Sequence, residues 1–416
     1  MRTREHIEIT APRDKIRLAI VGTGLRGDTM ASLIRKRPDA EIVALVDSIP
    51  EKAAWLSHRL GLERAIVFRS IEEALATVAF DAAMIFTPDG LHAHPAIAAL
   101  RAGKRVFCEK PLEITAERCA ELIEADEAAG GKTFVGFNLR HAPFYATVKQ
   151  CLDEGGVGRI LTVQADEFYD GGRTYFRRWN GLREKSGGLW ITKAAHDFDL
   201  LLWLTGARPL EVFANAARSY YVPKPEAGIQ CRACSISSRC PDRAPEVATD
   251  LQRITEERGG SPYDLCLYNA PSDTFDHGMA QIRFENDIFA TYTCNVVAGF
   301  TDRRLRISGT KATVEGCFNS QSVTVLRRDP ASVEQIPVPT TGDIHGGADP
   351  IMVGSFLEFV RLGGQPPCTP REAALPVCVG LAATKSSDEG RPIAIEMQGP
   401  PWQAGAFSTP CRSEAS

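Results

Sequence analysis

This chain predicts an α/β protein of two domains. A doubly wound parallel sheet of the Rossmann type comes first. An α+β domain built on a large, open, mainly antiparallel sheet follows. Three observations carry that expectation. From Lys15 to Val135, short β-rich runs alternate with helical stretches, the pattern of right-handed βαβ crossovers. A glycine-rich turn, Gly22-Thr23-Gly24-Leu25-Arg26-Gly27, joins the first strand to the first helix. After about residue 143 the strands lengthen and turn signals separate them. At 416 residues the chain is long enough for both units and a large core. The expected boundaries are 1–142 for the first domain and 143–400 for the second, with an insertion at about 223–270 and a tail over 401–416.

The elements follow in order. Ile16 to Val21 is the first strand, Asp28 to Arg37 a helix closed by Pro38-Asp39, and Glu41 to Val46 the next strand, ending at Asp47. Helices over Pro50–Leu60 and Ile71–Thr77 precede the strand Ala82 to Phe86. A helix over His94–Ala102, the strand Arg105 to Cys108, a helix over Thr115–Ala129 and the strand Thr133 to Val135 complete the first half. In the second half, strands are expected at Ile160–Phe168, Leu210–Ala217, Met279–Glu285, Ile288–Asn295, Arg304–Ile307 and Val323–Arg327. Asn286-Asp287 and Ser308-Gly309-Thr310 are the turns between them. Helices are expected over Thr192–Thr205, Pro350–Leu362 and Ala373–Glu389.

Composition removes several function classes. Hydrophobic residues make up 44% and charged residues 24%, as in ordinary globular proteins. Forty-eight basic against 52 acidic side chains leave a net charge of −4, which argues against nucleic acid or an anionic membrane as partner. No apolar run approaches the roughly 18 residues of a bilayer span. The start, Met1-Arg2-Thr3-Arg4-Glu5-His6, lacks an apolar export region, so a cytoplasmic location is expected.

A glycine turn between a strand and a helix lets a backbone approach a pyrophosphate at the helix N-terminus. Gly22, Thr23, Gly24, Leu25, Arg26 and Gly27 are therefore candidate dinucleotide contacts. Asp47 ends the second strand about 20 residues on, placed for the adenosine ribose hydroxyls. Its charge repels a 2′-phosphate and Ser48 follows it, so NAD is expected over NADP. Further on, Gly103-Lys104-Arg105-Val106-Phe107-Cys108-Glu109-Lys110-Pro111 ends a buried strand with a lysine between a carboxylate and a proline. Proline stops the strand, and the amine is held at the carboxyl edge where open α/β sheets bind ligands.

These motifs resemble the Gfo/Idh/MocA family of oxidoreductases, the relatives of glucose–fructose oxidoreductase and inositol dehydrogenase. The match rests on Gly22, Gly24 and Gly27, on Thr87-Pro88 with His92, on Ala102-Gly103-Lys104, on Glu109-Lys110-Pro111 and on Gly136-Phe137-Asn138. It covers about residues 15 to 397. The resemblance implies that Lys110 touches both substrate and nicotinamide, and that Thr87, Pro88, His92, Glu109 and Asn138 line the cofactor. It also implies that His196 is the catalytic histidine. The family commonly carries an aspartate four residues before that histidine, and this chain has Thr192 there. Lys193 takes the polar position instead.

On one helix, Lys193, His196 and Asp197 share a face, so Lys193 joins Lys110 and His196 as a catalytic candidate and Asp197 joins the substrate side. Two lysines near a nicotinamidium charge predict a depressed pKa for Lys110 or Lys193 and an amine able to act as general base. Arg178 and Trp179 suit a sugar ring as donor and stacking face, and His277 and His345 are further substrate candidates. Cys231, Cys234, Cys240 and Cys266 predict a tetrathiolate site in a polar segment with little core. Structural zinc is expected there, with an iron–sulfur cluster or unligated thiols as alternatives. The other cysteines, among them Cys108, Cys119, Cys151, Cys294 and Cys378, suit a reduced core.

The expected function is hydride transfer between NAD and a secondary hydroxyl of a sugar, glycoside or cyclitol, by a homodimer or homotetramer. Two other readings stay open: an NAD-dependent glycoside hydrolase working by transient oxidation, and a non-catalytic NAD-sensing regulator.

Overall fold

A computed structural model describes residues 15–320, 322–339 and 345–396; the expected tail lies outside them. The first sheet has six strands, β1 (Ile16–Val21), β2 (Ala40–Val46), β3 (Ile66–Phe68), β4 (Ala82–Ile85), β5 (Arg105–Cys108) and β6 (Thr133–Val135). All pair in parallel, in the order β3-β2-β1-β4-β5-β6. That is the doubly wound order, with its switch point between β1 and β4. Register aligns the strand ends: Val21 faces Val46 and Ile85, Ile85 faces Cys108, and Cys108 faces Val135. The loops that begin at Gly22, Asp47, Phe86, Glu109 and Gly136 therefore leave the sheet in one row.

Alternation along the buried strands separates two faces. Leu18, Ile20, Leu45 and Met84 face one layer, and Ala19, Val21, Val46 and Ile85 face the other. The chain later returns to cover both. Helix Ala348–Leu362 puts Met352, Val353, Phe356 and Leu357 on the first layer, and helix Pro370–Glu389 puts Ala373, Ala374 and Val377 on the second. This return brings C-terminal side chains to the ligand edge of the first sheet.

The second sheet has nine strands: β7 (Ile160–Phe168), β8 (Pro209–Ala217), β9 (His277–Phe284), β10 (Phe289–Asn295), β11 (Asp302–Gly309), β12 (Ala312–Cys317), β13 (Ser322–Arg328), β14 (Ala331–Pro337) and β15 (Ile393–Ala394). Their order is β14-β13-β12-β11-β7-β10-β9-β8-β15. Only the β7–β10 pair is parallel. Val163, Val212, Ile282, Tyr292 and Ile307 face inward onto Phe198 and Leu201 of helix Ala195–Thr205. The other face carries Met279 at 61% and Phe289 at 52% exposure.

Several elements differ from expectation. The helix expected over Thr192–Thr205 is broken into Leu189–Thr192 and Ala195–Thr205, with Lys193 at the joint. Helix Pro143–Asp153 opens the stretch after residue 143, where no helix is expected before Thr192. Its N-terminal proline and buried Phe144, Tyr145 and Val148 are helix signals at helical spacing. Strands β12 and β14 and helix Asp250–Glu257 were also unforeseen. That last helix carries a capping box and docks the insertion on helix Pro50–Leu60. There Trp55 Nε1 donates to Asp250 at 3.2 Å, and Arg258 pairs with Glu51 at 2.8 Å. Among the described residues, no helix is long and apolar enough to cross a membrane.

Candidate active site at the carboxyl edge

The glycine loop fits a dinucleotide for steric reasons. Gly22 has φ +90°, and a Cβ there would stand 2.6 Å from the Phe86 backbone. Gly24 precedes helix Leu25–Ile34, and a Cβ there would meet nothing within 4 Å. Open space thus lies beside the N-terminus of a ten-residue helix, where a pyrophosphate can approach the first amides. Leu25, 66% exposed, stands at the same mouth. Thr23 is fully buried and serves the loop itself. Asp47 Oδ2 accepts from its N–H and its hydroxyl, both at 2.9 Å, and Oδ1 accepts from the Ile49 N–H at 3.0 Å. Lys52 Nζ lies 3.3 Å from the same carboxylate. Much of Asp47's capacity is thus spent holding the loop.

Arg26 reaches across the edge. Its Nε donates to Glu109 Oε1 at 2.8 Å, and its two Nη atoms donate to both oxygens of Asp349 at 2.8 and 2.9 Å. Asn138 Nδ2 donates to Asp349 Oδ1 at 2.9 Å, and His345 Nδ1 pairs with Asp349 Oδ2 at 2.9 Å. Burial opposes the charge on Asp349, but His345 and Arg26 hold its carboxyl well below the usual range. In the sequence Asp349 only closes the polar, glycine-rich stretch that His345 opens; Arg26 and Asn138, its partners across the edge, lie more than two hundred residues away. Glu109 Oε2 and Asn138 Oδ1 are buried without a hydrogen-bond partner among the described residues. Such orphans are costly unless a ligand or water meets them. With the open space at Gly24, the residues present fit a bound dinucleotide.

Lys110 follows Glu109 and precedes a cis proline. Its Nζ donates to the Thr192 carbonyl at 2.9 Å. Burial lowers its pKa, and Lys193 and Arg26 push the same way against Asp89 and Glu109. His92 lies apart from the open cleft. It is fully buried, and its ring nitrogens meet the Pro111 carbonyl at 2.7 Å and the Thr87 carbonyl at 2.9 Å. It ties the β4 and β5 end loops together. The Thr87 hydroxyl donates to the Leu91 carbonyl at 2.9 Å, and Pro88 leads into the turn Asp89–Leu91.

His196 stands in the first turn of helix Ala195–Thr205, 8% exposed, its Nδ1 buried and without a partner among the described residues. Burial, then the charges of Lys110 and Arg303, hold its pKa well below the ordinary histidine value, so the ring is neutral. Lys193 behaves otherwise. Its Nζ lies 2.8 Å from Glu167 Oε1 and 4.0 Å from the centre of the Tyr169 ring. Burial works against its charge, but the charge and hydrogen bond of Glu167, together with Tyr175, raise the pKa. The depression expected for Lys110 or Lys193 therefore falls on Lys110, while Lys193 moves the other way, because a carbonyl meets the first amine and a carboxylate the second. Asp197 does not turn to the cleft. Arg303 Nε donates to its Oδ1 at 3.1 Å, and the Tyr292 hydroxyl donates to its Oδ2 at 3.0 Å. Arg303 also pairs with Glu167.

The remaining candidates divide. Trp179 is half-buried in the turn Trp179–Gly181, and Arg178 is exposed with its Nε on the Thr174 carbonyl at 3.0 Å. His277 bonds Asp276 Oδ1 at 2.8 Å. It pairs with Asn295, in line with Phe168, so its side chain leaves the sheet on the face opposite Glu167 and Lys193.

Cys231, Cys234, Cys240 and Cys266 are free thiols lining one small cavity with Ile236 and Tyr268. Backbone N–H groups of Ala244 and Gly228 donate to the sulfurs of Cys231 and Cys234. Among the described residues, no group of three or more histidine, cysteine or acidic side chains has the geometry to hold a metal ion. Neither zinc nor an iron–sulfur cluster is supported. Polar ties hold the insertion instead. Arg232 grips Asp264 through Nε at 3.0 Å and Nη2 at 2.7 Å, and Asn269 Nδ2 donates to the carbonyls of Lys224 and Ala227 at 2.8 and 2.6 Å.

Comparison with known proteins agrees with this geometry. Residues 16–137 match the profile described as oxidoreductase family, NAD-binding Rossmann fold, and residues 149–395 match that of the family's C-terminal alpha/beta domain. The scyllo-inositol 2-dehydrogenase (NAD(+)) of Bacillus subtilis is 27% identical over 391 residues, covering 92% of this chain and 97% of that protein. Among solved structures, levoglucosan dehydrogenase in complex with NADH and levoglucosan superposes with a TM-score of 0.72 at 19% identity, covering 92% of this chain and all of that one. The WlbA dehydrogenase of Bordetella pertussis in complex with NADH and UDP-GlcNAcA gives 0.70 at 22%, covering 93% of this chain and all of that one. These two likenesses concern the fold. The chain belongs to the Gfo/Idh/MocA family of oxidoreductases, with an NAD-binding Rossmann domain and the family's C-terminal α/β domain.

Proposed function

We propose that this protein oxidises a secondary hydroxyl of a sugar, glycoside or cyclitol, with NAD as hydride acceptor and Lys110 as general base. One observation carries the proposal. A buried amine with a lowered pKa stands at the ligand edge of the sheet, and His196 and Asn138 nearby hold unpartnered buried polar atoms. The scyllo-inositol dehydrogenase among the relatives supports the substrate class. Bound NAD supplies the acceptor for the hydride.

The chain's own residues do the rest. Gly22, Gly24, Leu25 and Gly27 hold the pyrophosphate at the helix N-terminus, Asp47 reaches the ribose, and Glu109 and Asn138 meet the nicotinamide end. Lys110 takes the hydroxyl proton. Neutral His196 hydrogen-bonds the same oxygen and orients the carbon. The half-buried Trp179 offers an apolar face to the ring, with Arg178 and His345 as polar neighbours. We also propose a homodimer or homotetramer formed through the exposed face bearing Met279 and Phe289. A monomer in light scattering would refute that part.

The test is a panel of sugars, glycosides and cyclitols incubated with purified protein and NAD. NADH formed in step with a ketone product is expected. Sugar released from glycosides with no net NADH would instead favour a hydrolase.

A further inference from the structure

Asp349 ties together side chains that lie far apart in the chain. It stands in the first turn of helix Ala348–Leu362, which is entered through Gly347 at φ +83°. The helix is anchored on the parallel sheet, where the Phe356 ring meets Phe107 and Phe134 with centroids 5.4 and 5.7 Å apart. From that fixed turn both carboxylate oxygens of Asp349 accept from Arg26, at 2.8 and 2.9 Å. Its Oδ1 also accepts from Asn138 Nδ2 at 2.9 Å, and His345 Nδ1 lies 2.9 Å from Oδ2. Arg26 in turn bonds Glu109 Oε1 at 2.8 Å, so the brace extends to the residue before Lys110.

The chemistry of these groups fixes how the Asn138 amide lies. An ionised carboxylate only accepts hydrogen bonds, whereas an amide has one donating and one accepting end. Arg26 grips Asp349 in the two-bond fork that suits a carboxylate, and with His345 it keeps that group ionised. Asn138 can therefore turn only Nδ2 to Asp349, and its Oδ1 is left over. That oxygen is buried, on a residue 1% exposed, with no hydrogen-bond partner among the described residues. A buried acceptor left so is costly until a donor reaches it. The carboxamide of NAD carries such a donor in its N–H group. We propose that Asp349 is a positioning residue for cofactor recognition, holding Asn138 so that its Oδ1 accepts from the carboxamide N–H. The proposal rests on the reading that Asn138 meets the nicotinamide end.

The test compares affinities and leaves turnover aside. The purified full chain, freed of bound nucleotide, is titrated in a calorimeter with three ligands. They are NAD, its acetylpyridine analogue, whose acetyl group has no N–H, and ADP-ribose, which lacks the nicotinamide. The unaltered protein should prefer NAD over the analogue about tenfold, as for one donor withheld from a buried acceptor. Asp349→Asn lets the Asn138 amide turn over, so the preference should fall to about twofold or less, with ADP-ribose affinity nearly unchanged. Asp349→Glu, which keeps an accepting carboxylate, should recover much of the preference. Asn138→Leu should abolish it with Asp349 in place. A folded Asp349→Asn protein that binds all three ligands more weakly and keeps the preference has lost only structure, and overturns the proposal. Equal affinity of the unaltered protein for NAD and the analogue overturns it too, and serves where Asp349→Asn does not fold. Failure of the oxidation itself would show in the substrate panel and leave these affinities standing.

Discussion

Two lysines stand close together, and their surroundings give them opposite chemistry. Lys110, at the carboxyl edge of the parallel sheet, has a peptide carbonyl as its hydrogen-bond acceptor, and burial lowers its pKa. Lys193, at the joint between two helices of the second domain, has the Glu167 carboxylate at 2.8 Å and an aromatic face beneath it. Both shed their hydration. Only the second regains it through a formal opposite charge and a ring quadrupole. The difference teaches that the acceptor within bonding distance, more than burial, sets the state of a lysine. One amine is thereby suited to the base role proposed for it, and the other to holding Glu167 in place.

The sharpest way to break this contrast is to remove each amine. Lys110→Ala should lower kcat by about a thousandfold, within the range for a lost general base, while NAD binding by fluorescence titration stays intact. Lys193→Met should act mainly on stability. It leaves Glu167 buried with Arg303 as its remaining cation, and a loss of about 3 kcal/mol in denaturant unfolding is expected, at the low end for a broken buried pair. Turnover of the folded fraction should stay within tenfold. A Lys193→Met protein of normal stability and no turnover would reverse the two roles.

Much of the first lysine's setting was legible in the sequence, and little of the second's. Glu109-Lys110-Pro111 follows a strand and a glycine loop, so local pattern alone brings Lys110 to the edge. Register then aligns it with Gly22 and Asp47. Nothing local to Lys193 points to Glu167 on β7 or Arg303 on β11. These positions meet only because β7 and β11 pair antiparallel and carry the two residues opposite each other. The break of the helix at Lys193 was hidden for a related reason. Periodicity runs on from Leu189 to Leu202, and tertiary packing decides where it stops. The ties of Asp349 to Arg26 and Asn138 were hidden because they depend on a helix returning from the far end of the chain. Asp197 was misplaced because helical spacing shows which residues share a face and leaves open what that face meets.

A smaller effect sharpens the contrast through pH. Glu167 and Asp197 share Arg303, and the pair splits: Arg303 and Lys193 hold Glu167 low, while burial and the Glu167 charge push Asp197 up. A carboxyl raised in the folded state keeps its proton while its unfolded counterpart ionises. Stability from Asp197 is therefore present at acid pH and lost as pH rises from the ordinary carboxylate range towards neutrality. Asp197→Asn should flatten that part of the stability profile in urea unfolding. Glu167 has the opposite sign, so its contribution is present above the carboxylate range and lost in acid. A profile in which Asp197→Asn steepens the loss would contradict the split.

The smallest expected effect concerns the four thiols of the insertion. They converge on one cavity as a metal site would, but Ile236 and Tyr268 share its lining, and the metal geometry is not met among the described residues. If Arg232–Asp264 and the Asn269 bonds hold the insertion, the thiols contribute only packing. Dialysis against a strong chelator should then leave the melting temperature unchanged, and Cys266→Ala should cost about 1 kcal/mol, as for the loss of a small buried group. Stoichiometric zinc released with a fall in melting temperature would overturn this. A tetrathiolate site gains most of its stability from the metal, so the same Cys266→Ala change would then unfold the insertion, and limited proteolysis between residues 223 and 270 would show it.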